Sequence, residues 1–207
     1  MTDSPRGRSY GGRDDESRRS ARRIRLLEAA FELFGDPSGS PASVERICSR
    51  ASVATRSIYE EFGGRNQLLL AVHDEVIDAT RAAVDMGIER APRSSEARTR
   101  AAVKAYVMFL TTDPRRARVA HLPMPPSGVT SQRRPPAAAL VDRLVDAPST
   151  SAEGRRLTVI ALMGAVNELL LDWSQTASPD AVPDLIDEIT HLATSVLAAR
   201  DEQVRTS

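Results

Sequence analysis

Between residues 43 and 62 the chain reads SVERICSRASVATRSIYEEF, two short stretches of helical periodicity with only three residues between them. Ser43 is a suitable N-cap, and Val44, Ile47, Cys48 and Ala51 fall at i, i+3, i+4 and i+7, one face of a helix. Ser52, Val53 and Ala54 break the pattern. A further helix, 55–62, turns Ile58 and Phe62 inward at i and i+4, and Gly63 and Gly64 end it. Helices this short, joined this tightly, have to pack against a common partner.

That partner lies just upstream. Ile24, Leu27, Phe31 and Phe34 repeat at helical period from about residue 20 onward, and GDPSGSP (35–41) stops the run. Ile24, Phe31, Ile47, Ile58 and Phe62 then form the expected core of a three-helix, helix-turn-helix unit. Downstream, a long helix is expected over 65–90 through Leu68, Leu69, Val72, Val76 and Val84, and another over 96–111 after the linker APRSS. The stretch 122–136 has five prolines among fifteen residues and reads as a long loop. A short helix at 137–145 follows, and strong helices at 153–174 and 183–200 close the chain, with Pro183 in the first turn of the last. No segment alternates as a strand does, and no repeat of 20–50 residues is present. The expectation is an all-α fold: a disordered arm at 1–17, a helix-turn-helix domain at 18–66, a second helical domain at 67–200, and a tail at 201–207.

Composition limits the partners. The 28 basic and 28 acidic residues balance, so any affinity for a polyanion must come from local clustering. Such a cluster exists: Arg18, Arg19, Arg22, Arg23 and Arg25 stand within eight residues at the start of the first helix. A single cysteine, Cys48, excludes an intrachain disulfide and points to a reducing interior. The first 25 residues have no apolar stretch of secretory type, and 157–173 is interrupted by Asn167 and Glu168, so neither signal nor membrane span is expected. A cytoplasmic location follows as the expectation.

The third helix fixes the candidate chemistry. Its first turn is Thr55, Arg56, Ser57, polar side chains at the end where a helix lying in a major groove meets base edges. Arginine is the commonest reader of guanine, and serine and threonine serve bases or phosphates. Arg22 and Arg23 are candidate phosphate contacts.

Residues 20–72 resemble the DNA-binding domain of the TetR family of bacterial transcriptional regulators. The resemblance rests on IRLLEAAFELFG (24–35), on SVERICSRASVATRSIYEEFGGRNQLL (43–69), and on their order and spacing. It implies that Thr55, Arg56 and Ser57 read the major groove, and that Tyr59, Arg65 and Ser43 contact phosphates. Arg65 stands where the family usually has lysine. Ser52 replaces the usual glycine of the break and Ala54 the usual capping residue, which would shift the cap to Thr55 and draw its hydroxyl away from DNA. Glu61 stands where histidine or an aromatic residue is common. With Glu60 it lies at the far end of the helix, where both would point away from the bases and weaken sequence-independent binding.

Beyond residue 73 the resemblance is one of helical architecture, plus the pattern ALMGAVNELLLDW (161–173). In the family this region binds ligand and dimerises. The residues make their own case for a dimer: Leu157, Ile160 and Gly164 line one side of a helix that is apolar all round, and Leu185, Ile189, Leu192 and Val196 form a second stripe on the last helix. Two helices from each subunit would make a four-helix interface. Adaptable or polar side chains within apolar helices, namely Met108, His121, Met124, Met163, Asn167 and Trp173, are the candidates for binding a mainly apolar small molecule.

An enzyme is the first rival. Only His73, His121 and His191 are present, no HExxH or CxxC spacing gathers metal ligands, and no nucleophile motif or phosphate loop occurs. No catalytic residue, metal or cofactor is expected. The second rival is a helical dimer that has lost DNA binding and serves as a ligand- or protein-binding module. The sequence favours a homodimeric DNA-binding regulator, a repressor by resemblance, released by its ligand from an inverted-repeat operator.

Overall fold

The computed structural model describes residues 10–123, 152–176 and 181–205. Among them are eight helices and no strand: α1 (Tyr10–Phe34), α2 (Val44–Ala51), α3 (Arg56–Phe62), α4 (Arg65–Arg90), α5 (Ser95–Thr112), α6 (Pro114–Ala120), α7 (Ala152–Thr176) and α8 (Val182–Arg205). The fold is all-α. The chain separates into two compact units, Met1–Val72 and His73–Ser207, so the first two turns of α4 go with the N-terminal unit rather than the division falling at residue 66.

In the N-terminal unit Ser43 caps α2 by accepting the Arg46 N–H at 3.3 Å, and Ile47, Cys48 and Ala51 are buried. The helix stops where Ser52 turns into the left-handed region at φ 53°, ψ 49°. The Val53 N–H then closes on the Cys48 carbonyl at 3.0 Å, and α3 leaves in a new direction. At its far end Gly63, at φ 81°, donates to the Tyr59 carbonyl. Seven residues would not hold a helix alone in water. Packing supplies the difference: Leu26, Ile47, Ile58 and Leu68 are wholly buried, each worth about 1.5–3 kcal/mol.

Three expectations for this unit change. The α1 helix begins at Tyr10, so residues 10–17 are helical and not a disordered arm. Asp15 and Arg18 stand one turn apart there, at 3.9 Å. Ile24 is 54% exposed, because the buried face of α1 is centred on Leu26 and Ala30, roughly 200° round the helix from it. Phe62 is half-buried at the rim of the core, beneath an arginine.

In the second unit Ser94 caps α5 by accepting the Ala97 N–H at 3.2 Å. Asp113 ends α5 and at once caps α6, accepting the Arg115 N–H, with Pro114 in the first helical position. This short helix was absent from the sequence reading. The α5 helix packs on α6 and α8, and α7 packs on α6 and α8. One cluster joins Val84, Ile88, Ala102 and Leu197, flanked by Tyr106 and Met163. At Gly87 the backbones of α4 and α5 approach so closely that a Cβ there would lie 2.9 Å from Ala105 Cβ. The α8 helix continues to Arg205, through residues expected as tail. The loop expected at 122–136 falls almost wholly outside the described residues, as does the short helix expected at 137–145.

Candidate nucleic-acid interface

The α3 helix has two faces, set by its period. Ser57, Ile58 and Glu61 lie together on the inner one; Thr55, Arg56, Tyr59 and Glu60 lie on the outer one. On the outer face the Arg56 side chain is 82% exposed, held only by an i, i+4 pair to Glu60 at 3.6 Å. A pair this exposed is worth little and exchanges readily for another partner. Tyr59 is 59% exposed, an unusual position for a large aromatic ring. Thr55 occupies the N-cap position with helical φ and ψ, and its hydroxyl makes no capping bond. The expected withdrawal of that hydroxyl into a cap does not occur.

Ser57 departs from expectation. It is buried, its N–H bonded to the Ala54 carbonyl at 2.9 Å, and it shares the inner face with Ile58. Its position takes it out of the set available to base edges.

The largest correction concerns Glu61. Its side chain is only 2% exposed. Arg22 donates to it from Nε at 3.1 Å and Nη2 at 2.6 Å, and Arg19 donates from Nε at 3.0 Å. Burial alone would raise the Glu61 carboxyl pKa, but the Arg22 and Arg19 hydrogen bonds outweigh it and hold the group below the usual carboxylate range. The same bond raises the Arg19 guanidinium further. Beside them Arg23 donates to the Glu61 carbonyl at 3.1 Å and stacks over the Phe62 ring at 4.2 Å. Arg22 and Arg23, expected on phosphates, are therefore engaged by the end of α3. Arg18 and Arg25 remain exposed. The sequence reading did not pair Arg19 with Glu61, which stand 42 residues apart and share no periodic signal.

Arg65 is divided in role. Its Nε donates to the Ala42 carbonyl at 2.7 Å and its guanidinium lies 5.1 Å from the Phe34 ring centre, anchoring the start of α4. Ser43 uses its hydroxyl as a cap. Cys48 is buried, which pushes its thiol pKa up, with Glu45 adding to the effect; the thiol is a core group and not a nucleophile.

This geometry coincides with a known domain: residues 26–72 match the model of the bacterial regulatory proteins, tetR family. Residues 26–72 carry a TetR-family domain. Over 95 residues it is 34% identical to the HTH-type transcriptional activator FasR of Mycolicibacterium smegmatis, a match covering 46% of this chain and 43% of that protein, less than half its length. The TetR fold extends through both units. The fatty acid degradation regulator FadR from Bacillus halodurans aligns over 85% of this chain and 94% of its own, at 18% identity and TM-score 0.66. A tetR-family regulator from Streptomyces coelicolor aligns over 90% of this chain and 86% of its own, at 20% identity and TM-score 0.61.

The ligand candidates are not brought to one place. Met108 lines an open groove of about 690 Å³ with Arg100, Lys104, Val182, Ile186 and Asp187, where Arg100 and Asp187 pair at 2.9 Å. Met163 packs on the Val84 cluster, and Asn167 accepts the Tyr106 hydroxyl at 3.0 Å, so its amide oxygen is bonded within the subunit. Burial pushes the Tyr106 pKa up to about 12. His121 ends α6 with Nδ1 2.6 Å from the Ala117 carbonyl. Trp173 Nε1 is buried with no partner among the described residues, and Met124 lies outside them. Of the dimer candidates, Leu157 and Ile160 are exposed at 50% and 52%, and Gly164 faces open space. Leu185, Leu192 and Val196 are half-buried. Ile189 is wholly buried and belongs to the subunit's own core, because it lies on the α8 face shared with Ala193 and Leu197. Among the described residues no helix is long and apolar enough to cross a membrane, and no three His, Cys, Asp or Glu gather as a metal site.

Proposed function

We propose that the protein is a homodimeric, sequence-specific DNA-binding regulator that acts in the cytoplasm as a repressor and is released by a small-molecule ligand. One observation carries the DNA-binding reading: Thr55, Arg56 and Tyr59 are exposed together on the outer face of α3, in a unit whose core needs none of them. That face has the size and polarity to enter a major groove with its first turn at the base edges. Of the two glutamates at the acidic end of α3, which favoured a module without DNA binding, Glu61 is turned inward and neutralised by Arg19 and Arg22, and Glu60 is the one left on the outer face, paired with Arg56.

The exposed stripe of Leu157, Ile160 and Leu171 on α7, with open Gly164 between, supports a two-fold seam against a second copy. Two reading heads in successive major grooves, about 34 Å apart or somewhat more, then call for an inverted-repeat operator. The inducer is a mainly apolar small molecule whose binding shifts the spacing of the heads through the continuous α4. A compound that raises thermal stability but leaves operator affinity unchanged would refute that coupling.

The name of FasR favours a second reading, an activator. A footprint of the purified protein on the DNA flanking its own gene, followed by in vitro transcription from the protected promoter, separates the two. Falling transcript identifies a repressor and rising transcript an activator; no protection on any duplex rejects both. Sedimentation of the free protein as a monomer would reject the dimer.

A further inference from the structure

The arginine run midway along α1 looks like a phosphate clamp, yet Arg19, Arg22 and Arg23 all bond to the end of α3. Arg19, Arg22 and Arg23 stand at i, i+3 and i+4, on the face that continues one turn later as Leu26 and Leu27. Where that face outruns the apolar core it meets the end of α3, and Glu61 closes the gap. The carboxylate receives three guanidinium N–H groups on its two oxygens and is almost wholly shielded from water. A phosphate that captured these arginines would have to break all three bonds and leave the Glu61 carboxylate without them. Arg22 commits both Nε and Nη2 to Glu61 and is itself only 33% exposed.

We propose that Glu61 sets the specificity of the reading head by withholding Arg19 and Arg22 from the DNA backbone. Positive charge on α1 raises affinity for every duplex alike, because phosphate contacts carry no sequence information. An internal counter-ion on the recognition helix subtracts from that uniform term and leaves the base contacts of Thr55 and Arg56 untouched. The same bonds fix α3 against α1, so the groove-facing turn is presented in one orientation. Arg18 and Arg25, both exposed, supply the backbone contacts that remain. The inference rests on the DNA-binding reading above, and Glu61 is a positioning residue, not one that touches DNA.

The test is a salt series of duplex binding, by fluorescence anisotropy, on the full chain and two variants, with helicity checked by circular dichroism. Wild type gives the reference slope of log K against log salt. Glu61→Gln is expected to bind random-sequence duplex more tightly and to steepen the slope by about 0.9 for each arginine released, up to about 1.8. Arg19→Gln/Arg22→Gln is expected to leave the wild-type slope unchanged, since these arginines do not reach phosphates while Glu61 holds them. A slope unaltered in folded Glu61→Gln overturns the proposal, and so does a slope shallower by about 1.8 in the arginine variant. The arginine variant decides the matter alone if Glu61→Gln does not fold. Wild type that binds no duplex at low salt rejects the DNA-binding reading itself, a result distinct from either.

Discussion

Ser52 is the residue whose replacement has the clearest sign. It is the one non-glycine at positive φ among the described residues, at φ 53° and ψ 49°, in the turn between α2 and α3. A left-handed conformation costs an L-residue about 1–2 kcal/mol, and glycine escapes that cost while losing roughly 0.5–1 kcal/mol through its greater freedom when unfolded. Ser52 is exposed and its contribution to the cap is its backbone N–H, so Ser52→Gly removes no contact. The net expectation is a gain of about 0.5–1 kcal/mol, confined to the N-terminal unit. Native-state hydrogen exchange of the Ile47 and Ile58 amides reads that unit locally, and exchange should slow by roughly two- to five-fold. Ser52→Val is the control, because a β-branched residue at positive φ is strongly disfavoured, and it should speed exchange. Faster exchange in Ser52→Gly, or no difference between the two variants, would refute a strained turn.

Three further outcomes follow from the packing and the titrating groups. The Glu61 pKa is lowered in the folded state, so its contribution to stability is present above the unfolded carboxyl pKa of about 4.3 and is lost as pH falls through the folded value; the stability difference between wild type and Glu61→Gln should shrink below about pH 4, and a difference that grows there would contradict the buried pair. Tyr106 should ionise near 12 in an absorbance titration, a step that Tyr106→Phe removes, with stability level below about pH 10 and falling from there to 12, and Tyr106→Phe should abolish that fall. Gly87→Ala puts a Cβ 2.9 Å from Ala105 Cβ and 3.0 Å from the Ala101 carbonyl oxygen. The overpacking cost of about 1–3 kcal/mol exceeds the roughly 1 kcal/mol gain in helix propensity, so thermal unfolding should show a net loss.

The helical plan was legible because its signals are periodic and local. Ser43, the apolar spacing of Ile47, Cys48 and Ala51, and the glycine pair after Phe62 mark α2 and α3 directly. Which side of Ile58 turns inward on α3 was not written in the chain: Ser57 and Tyr59 lie equally far round the helix from it, and packing buries Ser57 and Glu61 while leaving Tyr59 exposed. The pairing of Glu61 with Arg19 and Arg22 lies across about 40 residues, and a long-range ion pair has no period to betray it. Ile189 misled for the opposite reason, since an apolar stripe looks the same whether a neighbouring helix or a second subunit covers it.

The central claim is that the first turn of α3 reads base edges, and selection of duplexes from a random pool by wild type and by Arg56→Ala tests it most directly. Wild type is expected to enrich an inverted repeat with half-sites about 10 base pairs apart, centre to centre, or somewhat more. Arg56→Ala is expected to select the same repeat with one position in each half-site degenerate, at a loss of about 1–3 kcal/mol. An unchanged consensus in Arg56→Ala, or a wild-type pool no richer in any motif than the starting DNA, would contradict it.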